Sequence, residues 1–246
     1  MEEECAAHAG HGDKWRIFLR LIQAIWERGS VPEQMTWEII VLLPKGGGDY
    51  RGIGLLEPFW KVVEKIMVKR LASIEFHDCL HGGLPRRGTG TASIEAKLAQ
   101  QLAWRDQCPL YEIYVDLKKA YDAIDRGRMM EILRAYGVGP NLLRLQNSFW
   151  QNAQLVCRAG GCYGSPFNAA RGVTQGGPLS SLMFNVCVDA VVREWLHQTL
   201  GDDAAREGIG DDVAQWLVAF YIDDGLVASR DPVWLQASFD ILVGLF

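Results

Sequence analysis

Two adjacent carboxylates, Asp223 and Asp224, are the side chains of this sequence that most clearly could carry chemistry. They lie between two apolar segments, residues 216–220 and 226–228, and Gly225 follows them. Asp-Gly between two such segments predicts a β-hairpin with the acids at its tip. Neighbouring carboxylates repel each other, so both stay ionised only beside a cation, a group of donors or open water. Alone, the pair is most simply interpreted as a solvated turn.

A third acid, Asp116, changes that interpretation. It follows the alternating, β-rich residues 111–115, which predict a strand ending with an accessible side chain at a sheet rim. If this strand and the hairpin are neighbours in one antiparallel sheet, three carboxylates converge at one edge. Such oxygen ligands suit Mg²⁺, and two ions roughly 4 Å apart can promote phosphoryl transfer. The alternative is two unrelated acidic turns.

The remaining pattern predicts the elements that would hold these acids in place. Predicted helices cover residues 15–26, 58–71, 92–104, 128–136, 140–149, 178–200 and the segment from Pro232 onward. Predicted strands, besides the hairpin, cover residues 38–43, 111–115, 154–158 and 162–170. Residues 38–43 are expected to be buried, residues 46–49 to form a turn, and the acidic residues 201–212 to form a loop. The Gly-rich turn is not a P-loop, because no Gly-Lys-Ser/Thr follows it.

Composition permits one or two globular domains but gives no basic signature. The chain has 246 residues, 49% of them hydrophobic, and a formal net charge of -5, which is the wrong sign for an obvious nucleic-acid binder. The charge is uneven. Residues 44–97 carry a net +3 and residues 189–246 a net -8. The first region could face polyanions, and the second could hold cations or be solvated.

Cysteine usage and the N-terminus favour a reduced intracellular setting, nuclear or cytoplasmic, and argue against secretion. The six cysteines form no Cys-x-x-Cys pair, and the acidic N-terminus lacks the features of a secretory signal. No membrane span is expected, since the longest uncharged segment, residues 172–188, is broken by Gly, Pro, Gln and Ser. Two clusters, Cys5/His8/His11 and His77/Cys79/His81, invite a zinc interpretation, but neither has a convincing second ligand pair.

Several segments, in the right order along the chain, resemble the motifs of reverse transcriptases. The resemblance to motifs A, B and C rests on Asp116 with Tyr121, Gln175-Gly176 with Leu179-Ser180, and Tyr221-Ile222-Asp223-Asp224. Residues 43–45, 50–56, 61–71 and 82–88 are similar to the upstream blocks of the family. The resemblance is stronger to the enzymes of non-LTR retrotransposons than to the proteins of group II introns. The resemblance covers roughly residues 15–246.

The resemblance implies an α+β fold, the fingers and palm of a right-hand polymerase, with an antiparallel palm sheet packed on helices. The expected division is an N-terminal tail at residues 1–14, fingers at 15–110 and palm at 111–246, with part of 137–210 returning toward the fingers. The thumb is expected to be absent. Because residues 241–246 are apolar to the end, the chain is expected to be a fragment, or to have a further polypeptide that supplies or covers the thumb.

The implied activity is RNA-directed DNA synthesis on an RNA template, with a DNA primer and dNTP as further partners. Two Mg²⁺ ions, with Mn²⁺ as an alternative, would align the primer 3′-hydroxyl with the α-phosphate. Asp116 and Asp223 would bridge the metals, Asp224 would be the third acid, and the carbonyl of Leu117 would complete one shell.

The resemblance also implies how the nucleotide is held. Lys45 and Arg51 would grip the triphosphate, because Arg offers a bidentate fork and Lys a point charge. Tyr121 would pack under the sugar and exclude a 2′-hydroxyl, and its alternative role is that of a core aromatic. Gln175 and Gly176 would open the helix that supports the template base and incoming nucleotide.

Two residues depart from the family pattern. Gly52 replaces the usual Pro and is expected to loosen the loop that aims Arg51, and Ile222 replaces the usual Ala and is expected to point into the sheet.

Two other functions remain open from the sequence. The chain could be a catalytically inactive remnant of a reverse transcriptase that acts as a binding module, as the apolar end and acidic balance would allow. Another palm-bearing enzyme, such as a nucleotide cyclase, fits the third motif loosely but does not explain Lys45, Arg51 or Gln175-Gly176.

Overall fold

The computed structural model describes residues 12–207 and 216–246, which form a mixed α+β structure. The chain divides into two compact units. The first comprises residues 12–71, 133–170 and 175–177 of the described part, and the second comprises residues 72–132, 171–174, 178–207 and 216–246. The α+β prediction is confirmed. No helix in the described ranges is long and apolar enough to cross a membrane.

The elements are numbered in chain order. The helices are α1 (Gly12–Arg28), α2 (Pro58–Arg70), α3 (Thr89–Arg105), α4 (Ala120–Ala123), α5 (Arg126–Ala135), α6 (Pro140–Asn152), α7 (Ser180–Leu200), α8 (Asp202–Glu207) and α9 (Pro232–Leu245). The strands are β1 (Trp37–Gly46), β2 (Asp49–Leu56), β3 (Tyr111–Asp116), β4 (Gln154–Ala159), β5 (Cys162–Tyr163), β6 (Trp216–Tyr221) and β7 (Asp224–Ser229). Each predicted helix is present, with its ends shifted by a few residues.

The first unit is built on a four-stranded sheet in the order β2-β1-β4-β5. β1 pairs antiparallel with β2 and parallel with β4. The predicted strand at residues 38–43 extends through Gly46 and is largely exposed or half-exposed, so its predicted burial was wrong. The predicted turn is tighter than expected, because Gly47 and Gly48 alone make it at φ +64° and +88°. Strand β2 was not predicted from the sequence.

The second half of this sheet is shorter than predicted. The expected strand at 162–170 is reduced to the two residues of β5, and a single bridge joins Leu155 to Phe167 beyond it. Residues 161–168 are exposed, and a segment with no burial has no packed face to favour extended pairing. Within this unit, the rings of Trp60 on α2 and Phe149 on α6 stack with their centroids 4.5 Å apart and 3° between their planes.

The second unit carries a three-stranded antiparallel sheet in the order β3-β7-β6. One face of the sheet packs on Ala99 of α3 through Leu217 and Ala228. The other face packs on α7 and α9, where Val218, Val227 and Trp195 are among the buried residues of the main hydrophobic core. The predicted strand ending at Asp116 and the predicted hairpin are therefore neighbours in one sheet. This is the arrangement in which the three carboxylates were expected to converge.

Part of the predicted acidic loop is helical. Gly201 ends α7 at φ +93°, and α8 begins at once with Asp202 and Asp203 in its first turn. Carboxylates at a helix N-terminus interact favourably with its dipole, and the Arg206 guanidinium lies 3.9 Å from each of these two acids. The rest of the predicted loop, residues 208–212, lies outside the described ranges.

The hairpin turn lies two residues earlier than predicted. Tyr221 pairs with Asp224, so Ile222 and Asp223 form a two-residue turn and Gly225 belongs to β7. The glycine has a packing role there instead of a turn role. A Cβ built on Gly225 would lie 2.6 Å from Cε1 of Phe220, its cross-strand partner.

Gly225→Ala is therefore expected to destabilise the second unit. The added methyl group has no room beside the buried ring of Phe220, and overpacking typically costs about 1–3 kcal/mol. Thermal unfolding checks the prediction. Gly90→Ala is the matched control, because the space around Gly90 in α3 is open. Equal melting temperatures for Gly225→Ala and wild type would contradict it.

Candidate active site

Asp116 and Asp224 are directly opposite each other at the end of the β3–β7 ladder. Residues that pair across antiparallel strands project from the same face of the sheet, with Cβ atoms about 4.5–5.5 Å apart. Both side chains are exposed. Like charges in such positions are destabilising by roughly 0.2–1 kcal/mol, so this sheet edge favours a bound cation.

Asp223 is held close to the same edge by a backbone contact. The amide of Leu117, directly after Asp116, donates a hydrogen bond to the carbonyl oxygen of Asp223 at 3.1 Å. This bond joins the end of β3 to the turn between β6 and β7. Three acids from two distant parts of the chain are thus attached to one end of one sheet, and Asp223 is the least exposed of them.

The carboxylates suit a magnesium site by their chemistry, although they are not drawn into a closed cluster. Within residues 12–207 and 216–246, no three carboxylate, imidazole or thiol groups are gathered closely enough to form a complete metal site. All three acids carry oxygen donors and are at least partly exposed, so side-chain rotation is open to them. The donor set therefore fits Mg²⁺.

Backbone strain flanks these acids on both sides. Ile222, in the turn, has φ +59°, and Lys119, which precedes α4, has φ +54°. Positive φ is a genuine outlier for a β-branched residue such as Ile. Strained residues of this kind persist only where the surrounding structure determines them, and they concentrate at functional sites. Ile222 makes the turn instead of lying in a strand, and its partly buried side chain packs against the main hydrophobic core, as the prediction of an inward-pointing side chain requires.

Tyr121 has a defined ring position. Its ring stacks on that of Phe184 with centroids 5.1 Å apart and 15° between the planes. Its hydroxyl lies 3.4 Å from Oγ of Ser181. Burial raises the pKa of the Tyr121 hydroxyl, so the side chain remains neutral. The contacts of Tyr121 with Phe184 and Ser181 were not predicted from the sequence, although Ser181 directly follows the Leu179-Ser180 pair of the second motif.

Residues 172 and 173 fix the backbone that carries Tyr121. The Tyr121 carbonyl accepts a hydrogen bond from the amide of Val173 at 2.9 Å, and the Ile124 carbonyl accepts one from the amide of Gly172 at 2.8 Å. A Cβ on Gly172 would lie 3.0 Å from the Tyr121 carbonyl oxygen, and its φ is +85°. Glycine is therefore required for this close approach.

In the first unit, Lys45 and Arg51 belong to the β1–β2 hairpin. Pro44 pairs with Tyr50 and Gly46 with Asp49, so Lys45 is the extra residue of a β-bulge. Bulges redirect side chains. Arg51 lies opposite Leu43 inside a strand. The expectation of a loose loop at Gly52 is wrong, because Gly52 pairs with Leu42. Both basic side chains are exposed.

Gln175 and Gly176 belong to the first unit and precede α7 by several residues, so they do not open that helix. The amide of Gly54 donates to the Gln175 carbonyl at 2.8 Å. Gly176 has φ +110°, and a Cβ there would lie 3.0 Å from the carbonyl oxygen of Gly54. These contacts attach Gln175 and Gly176 to strand β2.

Within the second zinc candidate, His77 and Cys79 contact each other, whereas His81 has other partners. Nδ1 of His77 lies 3.0 Å from Sγ of Cys79, and its Nε2 lies 2.9 Å from the carbonyl oxygen of Ala204. His81 contacts Thr91 and Glu95 instead. Burial lowers the pKa of His77 and raises that of the Cys79 thiol, which favours their neutral forms. The other zinc candidate lies outside the described residues.

Comparison with known proteins identifies the family. A family model described as reverse transcriptase (RNA-dependent DNA polymerase) matches residues 43–244. The chain belongs to the reverse transcriptase family. The reverse transcriptase domain is 26% identical over 230 residues to the Pol polyprotein of the type-2 retrotransposable element R2DM of Drosophila melanogaster, covering 91% of this chain and 21% of that protein. It is also 26% identical over 243 residues to the Pol polyprotein of a type-1 element R2 of Popillia japonica, covering 94% and 33%.

The relatives are Pol polyproteins of retrotransposable elements, which supports the predicted resemblance to reverse transcriptase domains of non-LTR retrotransposons. The chain spans between about a fifth and a third of their length. Among solved structures, the domain is similar to apo telomerase from Candida tropicalis truncated from the C-terminal domain, with a TM-score of 0.58 and 17% identity over 86% of this chain and 47% of that one. This likeness supports a common fold.

Proposed function

We propose that this reverse transcriptase domain catalyses RNA-directed DNA synthesis by nucleotidyl transfer from a dNTP to a primer 3′-hydroxyl. The observation that carries the proposal is the placement of Asp116 opposite Asp224, with Asp223 bonded through its backbone to Leu117. Three carboxylates at one sheet edge match the polymerase chemistry of the family. Family membership alone would not locate that chemistry on this chain.

In this proposal, Asp116, Asp223 and Asp224 would hold the Mg²⁺ ions with their carboxylates, and the Leu117 carbonyl would be a further ligand. When bound, such ions activate the attacking oxygen and neutralise charge on the transferring phosphate. The chain's own contribution is to hold the acids on a rigid sheet end, so that little reorganisation is needed during reaction. Mn²⁺ has the same preference for oxygen ligands and would substitute.

The proposed nucleotide-binding roles come from the resemblance to the family motifs, and the surroundings of each residue are compatible with its role. Exposed Lys45, redirected by its bulge, and Arg51, fixed in a strand, are proposed to bind the triphosphate. Gln175 and Gly176 are proposed to support the templating base and incoming nucleotide, on a backbone anchored to Gly54. Tyr121 is proposed to reject a 2′-hydroxyl with the edge of a ring that Phe184 holds in place.

We propose a fingers-and-palm division with fingers through about residue 110 and palm from 111. Residues 133–170 cluster with the N-terminal unit, which supports a return of part of 137–210 toward the fingers. Residues 72–110 do not follow this boundary in the structure, because they cluster with the strands that bear the acids and α3 packs on their sheet. An RNA template, a DNA primer and a dNTP are the proposed partners.

A thermal-shift titration tests the metal and nucleotide sites without requiring turnover. Mg²⁺ together with a dNTP is expected to raise the melting temperature, because ligands that bind only the folded state stabilise it. At 100 times the dissociation constant this stabilisation is about 2.7 kcal/mol. Asp224→Asn should weaken the response and, by removing a like-charge contact, stabilise the metal-free protein slightly. A melting temperature unchanged by saturating Mg²⁺ and dNTP would favour the inactive-remnant alternative.

A further inference from the structure

Residues 79–82 run alongside strand β6 and end at the turn that carries Asp223. The amide of Phe220 donates to the carbonyl of Cys79 at 2.7 Å, and the amide of His81 donates to the carbonyl of Phe220 at 2.8 Å. Leu80 and Phe220 form a parallel β-bridge. The 79–82 segment therefore adds a short parallel pairing to the free edge of the β3-β7-β6 sheet.

Gly82, the last residue of this segment, touches the turn itself. A Cβ built on Gly82 would lie 2.4 Å from Cγ1 and 2.6 Å from the backbone nitrogen of Ile222. It would also lie 3.1 Å from the carbonyl carbon of Tyr221. Distances this short leave no room for a side chain. Gly82 is buried and its φ is not in the left-handed region, so the close approach is what requires glycine here.

Helix α7 holds the 79–82 segment in place from the other side. The buried amide Nδ2 of Asn185, which is 2% exposed, donates to the carbonyl of Gly82 at 2.7 Å. One turn further along, Oδ1 of Asp189 accepts from the amide of His77 at 2.6 Å. The backbone of residues 77–82 is thus bonded at both ends to a buried helix. Ile222 consequently packs against a Gly82 backbone that is held in place.

We propose that Gly82 and Asn185 are positioning residues for nucleotidyl transfer, because together they determine where the Ile222–Asp223 turn places the Asp223 carboxylate. Neither residue is expected to touch substrate or metal. The strained φ of Ile222 is maintained by this contact, since the turn cannot relax toward the segment without meeting Gly82. The inference rests on the proposed function for its catalytic consequence, but its structural part stands independently.

Gly82→Ala tests the inference by kinetics. The methyl group is expected to displace the turn, and misplacement of a catalytic group by about 1 Å can cost roughly 100-fold in rate. We therefore expect kcat to fall about 100-fold with little change in the KM for template-primer. Gly90→Ala, which meets nothing within 4 Å, should match wild type in both parameters.

A second substitution separates positioning from general damage. Ile222→Ala removes Cγ1, the nearest atom to the added methyl, but leaves the Ile222 backbone nitrogen 2.6 Å away, so Gly82→Ala/Ile222→Ala should recover only part of the activity that Gly82→Ala loses. Asn185→Ala, which removes the donor to the Gly82 carbonyl without adding volume, should lower kcat in the same way. It keeps the inference testable if Gly82→Ala does not fold.

Residue-resolved hydrogen exchange tests the structural part in the absence of any activity. In Gly82→Ala, the amide of Leu117, which donates to Asp223, is expected to exchange faster than in wild type. The amide of Leu235, bonded to Asp231 at the start of α9, should be unchanged. If wild type incorporates no nucleotide, the proposed function fails, whereas faster exchange at Leu117 still supports the role of Gly82. Wild-type exchange at Leu117 together with wild-type kcat in Gly82→Ala would overturn the inference.

Discussion

Asp223→Asn is expected to lower metal-dependent dNTP incorporation by roughly 10³-fold, because metal stabilisation of phosphoryl transfer is worth several kcal/mol and each 1.36 kcal/mol is tenfold. The substitution keeps the size of the side chain and removes its charge. Asp223 sits in a two-residue turn whose carbonyl is bonded to Leu117, so the backbone should not move. Single-nucleotide incorporation at saturating Mg²⁺ measures the effect.

The matched control is Asp240→Asn, which makes the same change of charge on an exposed position of α9. Its incorporation rate and melting temperature should equal those of wild type, because the amide oxygen of Asn can still accept the hydrogen bond from Nε2 of Gln236. Equal losses of rate in Asp223→Asn and Asp240→Asn would show a general effect of charge. A loss in Asp223→Asn of less than tenfold would be at odds with a metal-binding role.

Tyr121→Val is expected to raise the ratio of ribonucleotide to deoxyribonucleotide incorporation by about 10–100-fold, the range that a steric difference of this size commands. The Tyr121 ring is fixed by stacking on Phe184, so it cannot swing aside for a 2′-hydroxyl. Valine opens that space. The ratio is measured on one enzyme preparation with rNTP and dNTP in separate reactions, so a partly unfolded fraction cancels.

Tyr121→Phe separates the ring from the hydroxyl. It keeps the stacking on Phe184 and loses only the contact with Ser181. Selection against ribonucleotides should therefore persist in Tyr121→Phe. If Tyr121→Val discriminates as strongly as wild type, the side chain is a core aromatic and the gate must lie elsewhere.

The strands that carry the three acids could be predicted because they obey a local rule. The alternation of residues 111–115 and the two apolar segments around the hairpin each encode β structure with period two. The position of the turn could not be predicted by the same rule. Asp-Gly signals a turn, but Gly225 is instead required by the ring of Phe220, a cross-strand contact that only the folded sheet creates.

The elements that could not be predicted from the sequence depend on distant partners. Strand β2 contains Gly and polar residues, and it is extended because it pairs with β1. Strand β1 in turn pairs parallel with β4, which lies over a hundred residues later in the chain. Motif resemblance located the acids and Tyr121 without such contacts. It placed Gly82 in an upstream block without indicating a role, and it gave no signal for Asn185. The importance of these residues lies in touching Ile222 and Gly82, respectively.

Metal-dependent catalysis by these three acids is tested most directly by extension of a DNA primer on an RNA template by the purified chain with Mg²⁺ and dNTP. We expect template-directed incorporation that requires the divalent ion, is lost on chelation, and is reduced to background in Asp223→Asn. Extension that persists in Asp223→Asn, or no incorporation by the folded wild-type chain at saturating primer-template, Mg²⁺ and dNTP, would contradict it.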